Sequence, residues 1–272
     1  MADGETAASR PEDASGAVSW AADFNVNGSM RSWIDLDPDL AGGCEGMLWT
    51  ASLVLLRYLE TTKPDGWWRG RRVLECSSGT GHLAVGLARL GAHVVATESA
   101  ESHNGALSSG FQTMTAWTSK LLLERPGGGQ ALTGAALSDW QALHQQAEMP
   151  CDADLPLSAG SSGGTVQFRK LHWGLDDMAP RAWDGFELLI LSELYFDPDL
   201  HEALLGTLTR ILQPGMTCFS IFVDRPFSLG FLVMLEDEGS FEVEELAIDQ
   251  TFGMQEDDVI YAHVIKRKAS QD

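Results

Sequence analysis

The stretch VLECSSGTGHLAVGLARLGAHVVATE, residues 73 to 98, contains in order a short apolar run, a glycine turn, an amphipathic run and a second apolar run. Leu83, Leu87 and Leu90 fall on one helical face, and Gly91 follows as a stop. Strand, helix and strand in that order make a βαβ unit, which requires a parallel sheet. In such a unit the loop after the first strand points backbone N–H groups and the positive helix end at an anionic ligand, and Gly79 and Gly81 open that loop to close approach. Glu98 ends the second strand, where a carboxylate about 20 residues beyond the loop accepts hydrogen bonds from a ribose. The expected ligand therefore carries a ribose.

Two cofactor classes satisfy those features. Gly79-Thr80-Gly81-His82-Leu83-Ala84 also fits GxGxxA, the dinucleotide pattern. Glu75 separates the two, because an unpaired carboxylate inside an apolar strand is costly unless a partner arrives. Its charge suits a sulfonium or ammonium group better than a pyrophosphate.

The same alternation of elements continues outward. MLWTASLVLLRYLE, 47 to 60, has helical spacing, and a further helix is expected over 103 to 124. RPGGG and LPLSAGSSGG bracket a Gly/Ser/Pro-rich insertion at 126–164, with a short helix expected at DWQALHQQA. TVQFRKL and FELLILS read as strands. Asp197 and Pro198 then read as the N-cap and first position of a helix that Pro214-Gly215 end. CFSIFV is a strand, a helix follows around 228 to 237, and FEVEEL and VIYAHVIK alternate like an antiparallel edge pair. Residues 1–18 read as a disordered tail, 19–268 as one domain and 269–272 as a second tail.

Bulk properties narrow the partners. Among 272 residues, 18 basic against 39 acidic side chains leave a formal net charge of −21, which disfavours nucleic acid and anionic membranes and favours a basic protein surface. Cys44, Cys76, Cys151 and Cys218 lie far apart and read as reduced thiols. His82, His103, His172 and His201 lack the spacing of metal ligands, and no GxSxG elbow is present. No signal core or membrane span is legible, so a soluble cytosolic or nuclear monomer is expected.

Glu75-x-Ser77-x-Gly79-x-Gly81 resembles the ExGxGxG loop of class I, seven-strand methyltransferases, with Glu98 matching the acidic ribose ligand of that family. Three further segments are similar to the protein-lysine branch called methyltransferase family 16. These are Gly46-Met47-Leu48-Trp49, Leu171-His172-Trp173-Gly174, and Ser192-Glu193-Leu194-Tyr195-Phe196 in the place of the D/ExxY/F motif. Ser77 stands where the family has glycine, Glu193 where aspartate is usual, and Phe196 where tyrosine is common.

The resemblance implies a Rossmann-like seven-stranded sheet, parallel with an antiparallel C-terminal edge pair and helices on both faces. It also implies S-adenosyl-L-methionine as cofactor, held by Trp49, Glu75, Ser77, Gly79, Gly81, Glu98, Trp173 and Ser192, with Glu193 and Phe196 at the acceptor. Glu193 would dock the acceptor ammonium rather than serve as a strong base. The implied activity is methyl transfer to a protein lysine. A protein histidine, an NAD-type oxidoreductase and a non-catalytic scaffold remain the alternatives.

Overall fold

The computed structural model describes residues 18–22, 32–36, 49–99, 110–123, 128–131, 156–174, 183–248 and 259–269. The expected βαβ unit is present as β3 (Arg72–Cys76), α2 (His82–Arg89) and β4 (His93–Glu98), preceded by α1 (Thr50–Thr62). All five residues of β3 are buried, as a strand covered by helices on both faces must be. Further along come α3 (Gly110–Leu123), β5 (Gly128–Ala131), β6 (Leu157–Ala159), β7 (Thr165–Lys170), β8 (Leu188–Ser192), α4 (His201–Ile211) and β9 (Thr217–Val223). The series ends with α5 (Ser228–Glu238), β10 (Phe241–Glu245) and β11 (Ile260–Arg267).

These strands form one sheet in the order β10-β11-β9-β8-β3-β4-β7-β6-β5. The five central strands are parallel, and β11 and β10 add the antiparallel C-terminal pair. The sheet has nine strands rather than seven, because β5 and β6 pair antiparallel on the far edge. Both lie in the 126–164 stretch, whose glycine-rich composition hides strands that edge pairing supplies. The short helix expected at 139–147 lies outside the described residues, as do the 1–17 part of the tail and the first turns of the helix expected from 103. A separate antiparallel pair, β1 (Val18–Ala22) with β2 (Ser32–Leu36), was not legible in the sequence.

The period of two divides the sheet's side chains between two cores. Val73, Val94, Leu188 and Ile190 face α1, α2 and α3, whereas Leu74, Val95, Leu189 and Leu191 face α4 and α5. Leu204, Leu208 and Ile211 supply the buried stripe of α4. Asp197 accepts from Asp199 N at 3.0 Å and opens a 3₁₀ turn, Pro198–Leu200, that leads into α4. Among the described residues no helix is long and apolar enough to cross a membrane.

Strand order proceeds from β3 to β4 and β7 on one side and to β8 and β9 on the other. Such a reversal leaves a crevice at the carboxyl ends of the two central strands. The α2–β4 turn depends on a close approach at Gly164, where a Cβ would come within 1.9 Å of Ala88 O and 2.7 Å of Ala92 O. Gly164→Ala is therefore expected to destabilise the protein by about 1–3 kcal/mol, measured as a fall in the denaturant midpoint; an unchanged midpoint would mean that this joint yields freely.

Candidate functional site

The crevice between β3 and β8 is a cavity, and eight of the ten expected residues line it: Trp49, Glu75, Ser77, Gly79, Glu98, Trp173, Ser192 and Phe196. They come from the ends of β3, β4 and β8, from the segment after β7 and from the start of α1. One fold feature, the strand reversal, brings all of them together.

The glycine turn is held by the neighbouring strand. Ser78 N donates to Thr97 O at 2.8 Å, and Thr97 Oγ1 donates to Glu75 O at 2.7 Å. Glu98 accepts from Gly79 N at 3.1 Å through one oxygen and from Ser99 N at 2.8 Å through the other. These two bonds brace both oxygens of the carboxylate against the glycine turn and the end of β4. Gly110, at the start of α3, comes so close that a Cβ there would sit 2.8 Å from Glu98 Cγ. Nothing in the sequence singled out Gly110.

Glu75 is 2% exposed, and its Oε2 has no hydrogen-bond partner among the described residues. Burial, assisted by the Glu98 charge and opposed by the Ser78 hydroxyl and the Ala84 N–H, pushes its carboxyl up to about 8. Ser192 Oγ is likewise buried without a partner among these residues. His82, which the sequence offered only as a rejected metal ligand, also lines the cavity. Burial, with Arg89 nearby, pulls its pKa down to about 3, so it is neutral, and its Nδ1 lies 2.7 Å from Thr80 Oγ1. Among the described residues no group of three His, Cys, Asp or Glu side chains is placed to hold a metal ion.

Leu171 N donates to Glu98 O at 3.0 Å, which seats the LHWG segment across the end of β4. His172 Nδ1 lies 3.2 Å from Ser99 Oγ, and Gly174 N donates to Thr207 Oγ1 on α4 at 2.9 Å. Trp173 thereby forms one wall. Trp49 forms another as the N-terminal flank of α1, with Ser52 Oγ donating to its carbonyl at 2.7 Å.

Two expected residues lie elsewhere. Gly81, at φ +75°, turns its open side to α3, where a Cβ would meet Thr118 Oγ1 at 1.8 Å; it is a joint between helices rather than part of the cavity lining. Glu193 is buried, and its Oε2 pairs with Arg225 Nη1 at 2.5 Å and accepts from Val223 N at 3.4 Å. Its carboxylate faces the β9 side and is not part of the lining, so the expected docking group is already occupied by an arginine. Glu193 also adopts φ +60°, a left-handed conformation costly for a side-chain-bearing residue, held by its N–H donating to Ile221 O at 2.8 Å. Arg225 Cζ in turn lies 4.9 Å from the centroid of the Trp49 ring. Tyr195 points into the core, its hydroxyl 2.7 Å from Ser220 Oγ, which leaves Phe196 as the aromatic of this segment at the cavity.

No family model and no curated protein matches the chain. Solved structures similar to it include S-adenosylmethionine-dependent methyltransferases. The T. thermophilus 16S rRNA N2 G1207 methyltransferase in complex with AdoMet and guanosine is 20% identical over 92% of this chain and 51% of its own, with a TM-score of 0.48. The glycopeptide N-methyltransferase MtfA, complexed with S-adenosylmethionine, is 13% identical over 80% of this chain and 95% of its own, at 0.47. A TehB-like methyltransferase from Corynebacterium glutamicum is 13% identical over 80% of this chain and 88% of its own, at 0.45. At such identities the likeness carries no information about substrate.

The raised pKa of Glu75 makes stability depend on pH. The folded chain binds this proton up to about pH 8, whereas the unfolded chain releases it near the ordinary value of 4.5. Stability from this group is therefore present below the lower value and lost as pH rises through the upper one. Glu75→Gln removes the titration, so its stability relative to wild type should increase from about pH 5 to about pH 8.5, by on the order of 4 kcal/mol at most. Denaturant melts at the two pH values read this directly, and an equal difference at both would show the carboxylate to be paired or solvated.

Proposed function

We propose that this protein is an S-adenosylmethionine-dependent methyltransferase acting on a side-chain nitrogen of a protein, with lysine the favoured acceptor. The observation that carries this reading is the buried, unpartnered Oε2 of Glu75 in the wall of the cavity beside the glycine turn. Such a carboxylate is costly in an empty site, and a cationic ligand offsets the cost. A pyrophosphate would offer no such compensation.

When bound, S-adenosylmethionine supplies a methyl group on a positively charged sulfur. The residues of this chain have the remaining tasks. Glu75 balances the positive charge of the methionine portion, and Glu98, held by Gly79 and Ser99, accepts from the ribose hydroxyls. Trp49 and Trp173 wall the cavity and exclude water, which in-line transfer requires more than it requires covalent help.

A lysine acceptor has to lose a proton, at a cost of about 4 to 5 kcal/mol at pH 7 for a pKa of about 10.4. A free carboxylate beside it would raise that cost. Pairing of Glu193 with Arg225 offsets the carboxylate charge, so the acceptor meets an aromatic rim, Trp49 and Phe196, in place of a strong anion. Aromatic faces guide an ammonium without holding its proton as a carboxylate would. The net charge of −21 favours a basic target protein.

Calorimetric titration tests the cofactor. Wild type is expected to bind S-adenosylhomocysteine with micromolar affinity and NADH not at all, and Glu75→Gln and Glu98→Ala should each weaken binding by about tenfold or more, about 1.4 kcal/mol. Radiolabelled methyl transfer followed by amino-acid analysis then identifies methyl-lysine, or methyl-histidine if the acceptor assignment is wrong. Failure to bind S-adenosylhomocysteine would leave the fold without the proposed activity.

A further inference from the structure

Phe227 is 72% exposed, Val233 55%, Val259 45%, Leu229 41% and Phe196 40%; these are the exposed large apolar side chains among the described residues. Phe196, Phe227, Leu229 and Val259 lie at one end of the sheet, and Val233 extends the patch one turn down α5. Phe196 follows β8; Phe227, Leu229 and Val233 follow β9; and Val259, just ahead of β11, accepts from Asp224 N at 2.7 Å. This is the end at which the cavity opens.

Helix α5 explains why the patch faces outward. It buries Ser228, Phe231 and Leu235, spaced three and four apart, against the 3₁₀ turn and α4. Leu229 and Val233, four apart, therefore share the opposite face, and Asp237 continues the same stripe one turn on. Phe227 adopts φ +74° while its ring stands in solvent, so neither backbone preference nor burial accounts for it.

Arg225 connects this patch to the cavity. Its guanidinium pairs with Glu193 and lies against Trp49, a wall of the cavity, while the same residue lines a shallow depression with Phe227 and Leu229. Charge identifies the occupant. Besides the paired Glu193, residues 193–202 and 224–238 contain Asp197, Asp199, Glu202, Asp224, Glu236, Asp237 and Glu238, and Arg225 is the only lysine or arginine in either segment.

We infer that the turn after β9 and the outward face of α5, together with Phe196, are the docking surface for the protein substrate, and that it takes a segment bearing apolar side chains flanked by lysine or arginine. This rests on the methyltransferase reading for the word substrate. The surface itself rests on exposure and charge. Apolar anchors supply affinity, and the acidic rim selects a basic sequence and speeds its capture at low salt.

The test uses a fluorescent peptide with one lysine among leucines and arginines, and its counterpart with glutamate for arginine. The triple variant Phe227→Gly, Leu229→Ser, Val233→Ser removes the three apolar side chains of the β9 turn and α5, and glycine relieves the positive φ at 227, so loss of folding is not the expected cause of any change. Wild type should bind the basic peptide at least about tenfold more tightly than the acidic one, and the variant should lose about tenfold or more in affinity for it. S-adenosylhomocysteine affinity should stay equal, and in methyl transfer to that peptide KM should rise while kcat holds. Equal binding of the two peptides, no binding, or no loss in the variant would overturn the inference. A dimer in sedimentation that the variant dissolves would assign the patch to a second copy and overturn it as well. If wild type binds the peptide but not S-adenosylhomocysteine, the methyltransferase reading fails while the docking surface stands.

Discussion

β3 is hydrogen-bonded in parallel to β4 on one side and to β8 on the other, and the site depends on that double pairing. Parallel crossovers are right-handed, so helices that follow strands on the two sides of β3 pack on opposite faces of the sheet. Here α2 and α3 lie on one face and α4 and α5 on the other, and the loops after β3 and β8 separate as they leave the sheet. The opening between them exists before any side chain is chosen. Glycines, carboxylates and tryptophans then determine what it holds.

Two carboxylates at that opening have opposite surroundings. Glu98 receives two backbone N–H groups and serves as a brace that keeps the glycine turn against β4. Glu75 lies one strand away, fully desolvated, with one oxygen unpartnered and its pKa raised. A buried charge is kept where a partner completes it, so the second carboxylate has the form of a ligand group and the first the form of scaffold and ligand group together. Glu193 is a third case. Its pairing with Arg225 turns it away from the cavity and ties the end of β8 to the turn after β9. The same arginine thus pairs a buried carboxylate behind the cavity and lies against Trp49 at its wall.

Much of this was legible in the residues. Alternating and helical apolar spacing placed the βαβ unit, the antiparallel C-terminal pair and α4, because those patterns report which faces meet a core. The spacing from Gly79 to Glu98 placed a carboxylate at the turn, since one strand and one short helix fix the distance. The Asp197-Pro198 start held, although the chain makes a 3₁₀ turn there before α4 begins. Edge strands β5 and β6 were hidden, because glycine-rich edge pairing leaves little hydrophobic pattern.

By itself, then, the sequence determined the parallel core, the glycine turn and the side of the sheet on which a ligand would lie, all of which follow from contacts close along the chain or from a repeating period. Only the tertiary structure decided that Gly81 serves the packing of Thr118, that Glu193 belongs to Arg225, 32 residues away, and that Tyr195 turns inward while its neighbour Phe196 faces the cavity. Each of these is a choice between partners distant in sequence. No local spacing encodes it, because the deciding term is which side chain the folded sheet brings within reach.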